Sequence, residues 1–199
     1  MNSPKPISLK KIVIFASGSG TNAENIIKYF KNSGFAEVIA VFSNNKDAKV
    51  LKRAYNLDVK SLHFDRDAFY NTQEVHHVLK DMNPDLIVLA GFLWLFPEKI
   101  LNSFPNKVIN LHPALLPKFG GKGMYGEAVH KAVIENKEKE TGITIHYVNS
   151  KYDEGNIIFQ DSFEVSPAMT HQDVAAKIHE LEYKHLPRII ENILKAQEG

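Results

Sequence analysis

At 199 residues the chain suits one domain and is long enough to bury roughly 70% of the surface its unfolded form exposes, so its core needs no staples. Cysteine is absent, which excludes disulfides, thiolate metal sites and a cysteine nucleophile and leaves any metal to His and carboxylates. With 24 Lys and Arg against 23 Asp and Glu, the net charge of +1 provides no field for gripping a nucleic acid.

Met1 to Ser8, with Pro4 and Pro6, reads as a flexible N-terminal tail, and residues 9–199 as one domain. The apolar run Ile12 to Ala16 is shorter than a signal-peptide core and ends in a glycine-rich turn. Lys11 to Ser17 therefore predicts a buried first strand. Asn22 to Lys31 carries Ile26, Ile27 and Phe30 at helical spacing, with Gly34 ending the helix. Glu37 to Ser43 predicts a strand, Ala48 to Tyr55 a short helix, Val59 to Leu62 a third strand and Asp67 to Met82 one helix. Leu86 to Ala90 is uniformly apolar, as in a strand covered on both faces. Strand and helix in alternation imply right-handed crossovers and a mainly parallel sheet with helices on both faces.

Val108 to Leu111 predicts a further strand, leading into Pro113 to Tyr125, a breaker-rich segment whose length inside a compact domain marks it as functional. Glu127 to Asn136 reads as a helix, and Thr141 to Val148 with Asn156 to Val165 as paired antiparallel strands. The last helix, Thr170 to Lys195, opens with a capping box that has Asp173 at N3, and Pro187 predicts a kink within it. No apolar stretch approaches the ~20 residues of a membrane helix, and a cytoplasmic location is expected.

Chemistry concentrates in three places. Gly18-Ser19-Gly20-Thr21-Asn22-Ala23 joins the first strand to the first helix, where backbone N–H groups can bind an anion. Its spacing fits the dinucleotide pattern, but the second strand ends in Ser43-Asn44-Asn45 and lacks the acid that holds a ribose. One phosphate monoester on Gly20, Thr21 and Asn22 is the better reading, and a tight turn without ligand is the alternative. Asn110 and His112, two apart on a strand, point the same way, which places an amide donor and a titratable ring in one pocket. Asp153, in the Asp-Glu-Gly turn, can orient that ring or hold it charged, the arrangement acyl transfer needs. The plainer readings make His112 a structural residue and Asp153 a turn residue. His76 and His77 lie about 100° apart on their helix and cannot close on one metal. His179, Glu182 and His185 share a helix face without a second carboxylate pair, so no metal is expected. Phe92, Trp94 and Phe96 read as core and pocket wall, with room for a flat heterocycle. A dinucleotide-dependent oxidoreductase and a non-catalytic nucleotide sensor are the rival functional classes.

Gly18-Ser19-Gly20-Thr21-Asn22, Val41-Phe42-Ser43-Asn44, Leu89-Ala90-Gly91-Phe92, Ile109 to Phe119 with its Asn-x-His-Pro-x-Leu-Leu-Pro signature, and Tyr152-Asp153-Glu154-Gly155 resemble the folate-dependent formyltransferase superfamily. Within it they resemble the phosphoribosylglycinamide formyltransferases from Lys11 to about Lys195. The resemblance implies a single Rossmann-like domain with an antiparallel C-terminal extension. It also implies transfer of a formyl group from 10-formyltetrahydrofolate, a co-substrate, to the amine of glycinamide ribonucleotide in purine biosynthesis, with no metal, nucleic acid or membrane partner, as a monomer or homodimer. Carried over by motif, Asn110, His112 and Asp153 are catalytic. Gly20, Thr21 and Asn22 hold the acceptor phosphate, and Glu182 binds a ribose hydroxyl. Arg66 meets the folate tail, while Leu93, Trp94, Leu95, Asn110, Asp153 and the loop before Asp153 form the folate pocket. Asn110 and His112 would stabilise the tetrahedral oxyanion, and Asp153 would favour the imidazolium and relay the amine's proton. Phe119 to Tyr125 departs from the family's histidine-containing stretch, so the resemblance assigns that loop no contacts.

Overall fold

The computed structural model describes residues 9–197, so the expected tail Met1 to Ser8 lies outside the described residues. The elements run β1 (Lys10–Phe15), α1 (Thr21–Ser33), β2 (Ala36–Ser43), α2 (Lys49–Asn56), β3 (Lys60–His63), α3 (Arg66–Tyr70), α4 (Glu74–Met82) and β4 (Leu86–Ala90). They continue with α5 (Glu98–Ser103), β5 (Val108–His112), α6 (Glu127–Glu135), β6 (Glu140–Tyr147), β7 (Ile157–Glu164) and α7 (His171–Ala196). One seven-stranded sheet has the order β3-β2-β1-β4-β5-β6-β7. The five strands from β3 to β5 pair in parallel, and β5-β6 and β6-β7 are antiparallel, as the apolar runs and the later alternation predict.

Two cores follow from the two-residue period of the strands. Ile12, Ile14, Val41, Val88 and Ile109 face one way, against Ile26 and Phe30 of α1 and Ile178, Leu186 and Ile190 of α7. Val13, Phe15, Phe42, Ile87 and Leu89 face the other, against Phe69, Val75, Leu79, Phe96 and Ile100. Covering both faces explains why β4 has no exposed position. The second core is aromatic: Phe15 stacks on Phe42 with centroids 4.9 Å apart and meets Phe96 edge-on at 5.1 Å, geometry that adds about 0.5–1.5 kcal/mol per pair.

Two points of the helical reading need revision or extension. The single helix over 67–82 is two, α3 and α4, because local polar bonds compete with helix continuation between them. Asp65 caps α3 by accepting from the Ala68 N–H at 2.8 Å, Asn71 bonds back to Asp67, and Gln73 sits at φ 64. Helix α5 was not expected at all; at six residues it is too short to show a period, and Pro97 with Glu98 in the first turn is its only signal. Helix α7 has its capping box and runs unbroken through Pro187. Among the described residues no helix is long and apolar enough to cross a membrane.

Candidate active site

The C-terminal ends of β1, β4 and β5 open on a cavity of about 560 Å³. The glycine loop after β1 and the Gly91–Phe96 segment after β4 are tied together, since Ser17 N–H donates to the Gly91 carbonyl and Leu93 N–H donates to Ser17 Oγ, each at 3.0 Å. Asn110, His112, Asp153, Gly20, Thr21, Asn22, Glu182, Leu93, Trp94 and Leu95 all line this one cavity. Arg66 does not; it lies beside the wall, its guanidinium 4.9 Å from the Tyr70 ring and 5.7 Å from that of Trp94.

At the centre, the β5 strand presents Asn110 and His112 on one side, as its period requires. Asn110 Nδ2 donates to Asp153 Oδ1 at 3.3 Å and to His146 Nε2 at 3.1 Å. Those two bonds use both of its protons. Asp153 Oδ2 accepts the Gly121 N–H at 2.9 Å and lies 3.6 Å from His112 Nδ1, so the carboxylate ties the 113–125 segment to the triad. His112 Nε2 donates to the Phe119 carbonyl at 2.8 Å, which fixes its tautomer and turns Nδ1 to Asp153.

The His112 pKa lies below the ordinary imidazole value, because burial of the 3%-exposed residue outweighs the upward pull of Asp153 and of the Phe119 carbonyl. Asp153 thus favours positive charge on the ring, as the sequence reading expected, while burial acts in the opposite direction and by more. Asp153 itself lies below the ordinary carboxylate range. Desolvation raises it, but the nearby imidazoles of His146 and His112 and the Gly121 N–H together outweigh that effect.

His146 was not singled out from sequence. It sits opposite Asn110 in the unbroken antiparallel register of β5 and β6, while the pairing of β6 with β7 shifts by one residue beside it. Its Nδ1 donates to the Tyr147 carbonyl at 2.8 Å, which leaves Nε2 to accept from Asn110. The detectable signal was the alternation Thr144-Ile145-His146, polar residues pointing towards the Asn110 side of a paired strand. Thr144, opposite His112, donates to the Ala114 carbonyl at 2.7 Å and accepts from Leu116 N at 3.0 Å, pinning the start of the long loop.

The other end of the cavity is more polar. Glu182 Oε2, on α7, accepts from Asn22 Nδ2 and from His179 Nδ1, both at 2.9 Å. The Glu182 bond raises the His179 pKa against the opposing effect of burial. His185, by contrast, pairs with Asp161 at 2.7 Å, so the His179-Glu182-His185 face does not converge. Among the described residues no group of three His, Cys, Asp or Glu could hold a metal ion.

Residues 10–190 match the Formyl transferase family model. The chain is similar to the phosphoribosylglycinamide formyltransferase of Bacillus subtilis (strain 168), 34% identical over 191 residues that span 94% of this chain and 95% of that protein. It is also similar to the chloroplastic enzyme of that name from Arabidopsis thaliana, 35% identical over 181 residues, 88% of this chain and 62% of that protein. Its structure is similar to that of glycinamide ribonucleotide transformylase 1 from Symbiobacterium toebii, with a TM-score of 0.87 at 31% identity over 98% of this chain and 92% of that one.

Proposed function

The chain belongs to the formyl transferase family, and from that premise we propose that it is a phosphoribosylglycinamide formyltransferase. It moves the formyl group of 10-formyltetrahydrofolate to the glycyl amine of glycinamide ribonucleotide, and residues 9–199 form its one formyltransferase domain. The observation that carries the reading is the convergence of Asn110, His112 and Asp153 in a cavity with a polar loop at one end and the apolar Phe92, Trp94 and Val148 at the other. Those two ends suit a phosphorylated acceptor and a flat heterocycle respectively.

In the reaction the amine nitrogen bonds to the formyl carbon, the bond from that carbon to the folate nitrogen breaks, and one amine proton passes to the folate nitrogen. Atoms and charge balance without a covalent enzyme intermediate or a metal. Charge develops on the formyl oxygen in between. Asn110 meets it by exchanging its 3.3 Å bond to Asp153 for the oxygen, and His112 by exchanging the Phe119 carbonyl for it at Nε2. Both side chains are held close by those bonds before substrate enters, so each has only to exchange a partner. Asp153, ionised and on the cavity surface, relays the proton and stabilises the positive charge that His112 takes on.

At the acceptor end the Gly20, Thr21 and Asn22 N–H groups receive the phosphate. Glu182, with both recorded bonds on Oε2, keeps Oε1 for a ribose hydroxyl. Arg66, braced on Trp94 and Tyr70, would reach a folate carboxylate from the rim. Mixing the purified protein with 10-formyltetrahydrofolate, with and without glycinamide ribonucleotide, and following deformylation by absorbance tests the proposal. Turnover that requires the acceptor supports it; NAD binding without folate binding overturns it.

A further inference from the structure

We infer that Arg53, a residue of α2 outside the cavity, sets the direction of the acceptor-phosphate loop and thereby the acceptor's affinity; the inference rests on the formyl-transfer reading above. Two bonds run from α2 to the back of the loop. The Val50 N–H donates to the Gly18 carbonyl at 3.1 Å, and Arg53 Nε donates to the Ser19 carbonyl at 2.9 Å. The Arg53 guanidinium also pairs with Glu24 in the first turn of α1, so one side chain joins α2, the loop and the helix the loop begins.

Peptide geometry converts these bonds into a statement about the front of the loop. In a planar trans peptide the C=O and the next residue's N–H point in opposite directions. Pinning the Gly18 carbonyl towards α2 turns the Ser19 N–H away from it, and pinning the Ser19 carbonyl does the same to the Gly20 N–H. Ser19 and Gly20 line the cavity, and among the described residues neither N–H has a protein acceptor. Gly20 also lies flat on the helix at φ 75, where an added Cβ would fall 2.3 Å from Val50 Cγ2. The loop is therefore moulded against α2, and Arg53 holds the one carbonyl on it that backbone bonding leaves over.

Arg53 contributes direction rather than field. It is not part of the cavity wall, and its charge is matched by Glu24, which Lys28 also contacts at 2.6 Å. Lys at this position would keep the charge but not the planar fork that serves a carbonyl and a carboxylate together.

The test measures kcat and both KM values for the full chain as wild type, Arg53→Ala and Arg53→Lys, with Lys28→Ala as a control that perturbs Glu24 without touching the loop. Arg53→Ala should raise the acceptor KM about tenfold while kcat and the folate KM stay within about twofold. Arg53→Lys should restore part of the loss, and Lys28→Ala should match wild type. An unchanged acceptor KM, or a joint fall of both affinities with the melting temperature, overturns the inference; if the Ala variant does not fold, the Lys variant carries the same comparison. A second readout does not need turnover: titration with ribose 5-phosphate should shift the Ser19 and Gly20 amide resonances, at roughly tenfold higher ligand in Arg53→Ala. A wild type that shows those shifts but transfers no formyl group refutes the proposed function and leaves the Arg53 inference standing; no shift at either amide refutes the inference itself.

Discussion

Replacing Asp153 with Asn tests the triad most directly, because it removes a charge while keeping the shape. The carboxylate now accepts from Gly121 N at 2.9 Å and Asn110 Nδ2 at 3.3 Å, so an amide cannot satisfy both. With its oxygen towards Gly121, its NH2 meets the Asn110 NH2; flipped, it meets the Gly121 N–H. The first orientation is cheaper, since it surrenders the longer bond, and the fold should survive at a cost of about 1–2 kcal/mol. Catalysis should suffer more. A full charge 3.6 Å from His112 Nδ1 interacts with an imidazolium by about 4–5 kcal/mol at an effective dielectric of about 20. A ring half to fully charged in the transition state then loses between about 50-fold and about 10³-fold in kcat.

The sign of the pH effect follows from the same geometry. Asp153 pulls the His112 pKa up against a larger downward effect of burial. Removing it leaves only the Phe119 carbonyl to oppose burial, so the imidazole titrates at still lower pH than in wild type. Steady-state assays with both substrates saturating, together with NMR titration of the ring, measure the two quantities separately. A variant with unchanged turnover and an unchanged His112 titration would make Asp153 a turn residue and refute the coupled pair, even if formyl transfer itself proved correct.

Asn110→Ala and His112→Ala should each lower kcat by roughly 10² or more with the fold retained, since each removes a donor needed as charge develops; single-turnover rates with circular dichroism check both halves of that statement. Gly155→Ala should fold poorly or not at all, because an added Cβ would lie 1.6 Å from the Tyr147 carbonyl oxygen, and soluble yield with thermal melting measures it. Stability should fall as pH drops below about 6.5, because buried His112 and His130 have folded pKa values below the unfolded one and resist a proton the unfolded chain accepts. His179, raised by Glu182, works the other way and loses its contribution as pH rises through its folded value. The melting temperature at pH 5 should therefore lie below that at pH 7, and Gln at position 130 should shrink the difference.

What could be read from sequence was whatever rests on period or on local turn chemistry. The parallel strands showed as apolar runs, the antiparallel pair as alternation, and the start of α7 as Thr170 three residues before Asp173. The break at Asn71 to Gln73 was hidden because the apolar residues 75, 78 and 79 continue a plausible helical face past it. His146 was hidden for a different reason. Its role depends on which strand it pairs with and in which register, and neither is a local property. The crowding at Gly20 was equally hidden: an added side chain would meet Val50 behind the loop rather than the phosphate in front of it, so Gly20→Val should report a distorted loop. The direction of the His112 pKa could not be read at all, because it is the balance of burial against a carboxylate far away in sequence.

The location of the site follows from sheet topology. Strand order reverses between β1 and β4, and at such a point the connections leave on opposite faces and a crevice opens beyond the strand ends. The glycine loop and the Gly91–Phe96 segment are the two lips of that crevice, which accounts for a backbone-lined loop and an apolar wall sharing one cavity. A purely parallel sheet would stop there. The change to antiparallel pairing at β5 adds what group transfer needs, because β6 brings His146 opposite Asn110 and Thr144 opposite His112. The chain then turns back over the strand it has just left. That return is tight: Tyr147 N–H bonds to the Asn156 carbonyl at 2.9 Å, and Gly155 passes so close to Tyr147 that no side chain fits. The tight return delivers Asp153, itself at φ 57, to Asn110, His112 and Gly121 together. Gly155 in the Asp-Glu-Gly turn thus has a long-range purpose as well as a local one, since the close return that brings the Asp153 carboxylate to the strand leaves no room for a Cβ two positions later.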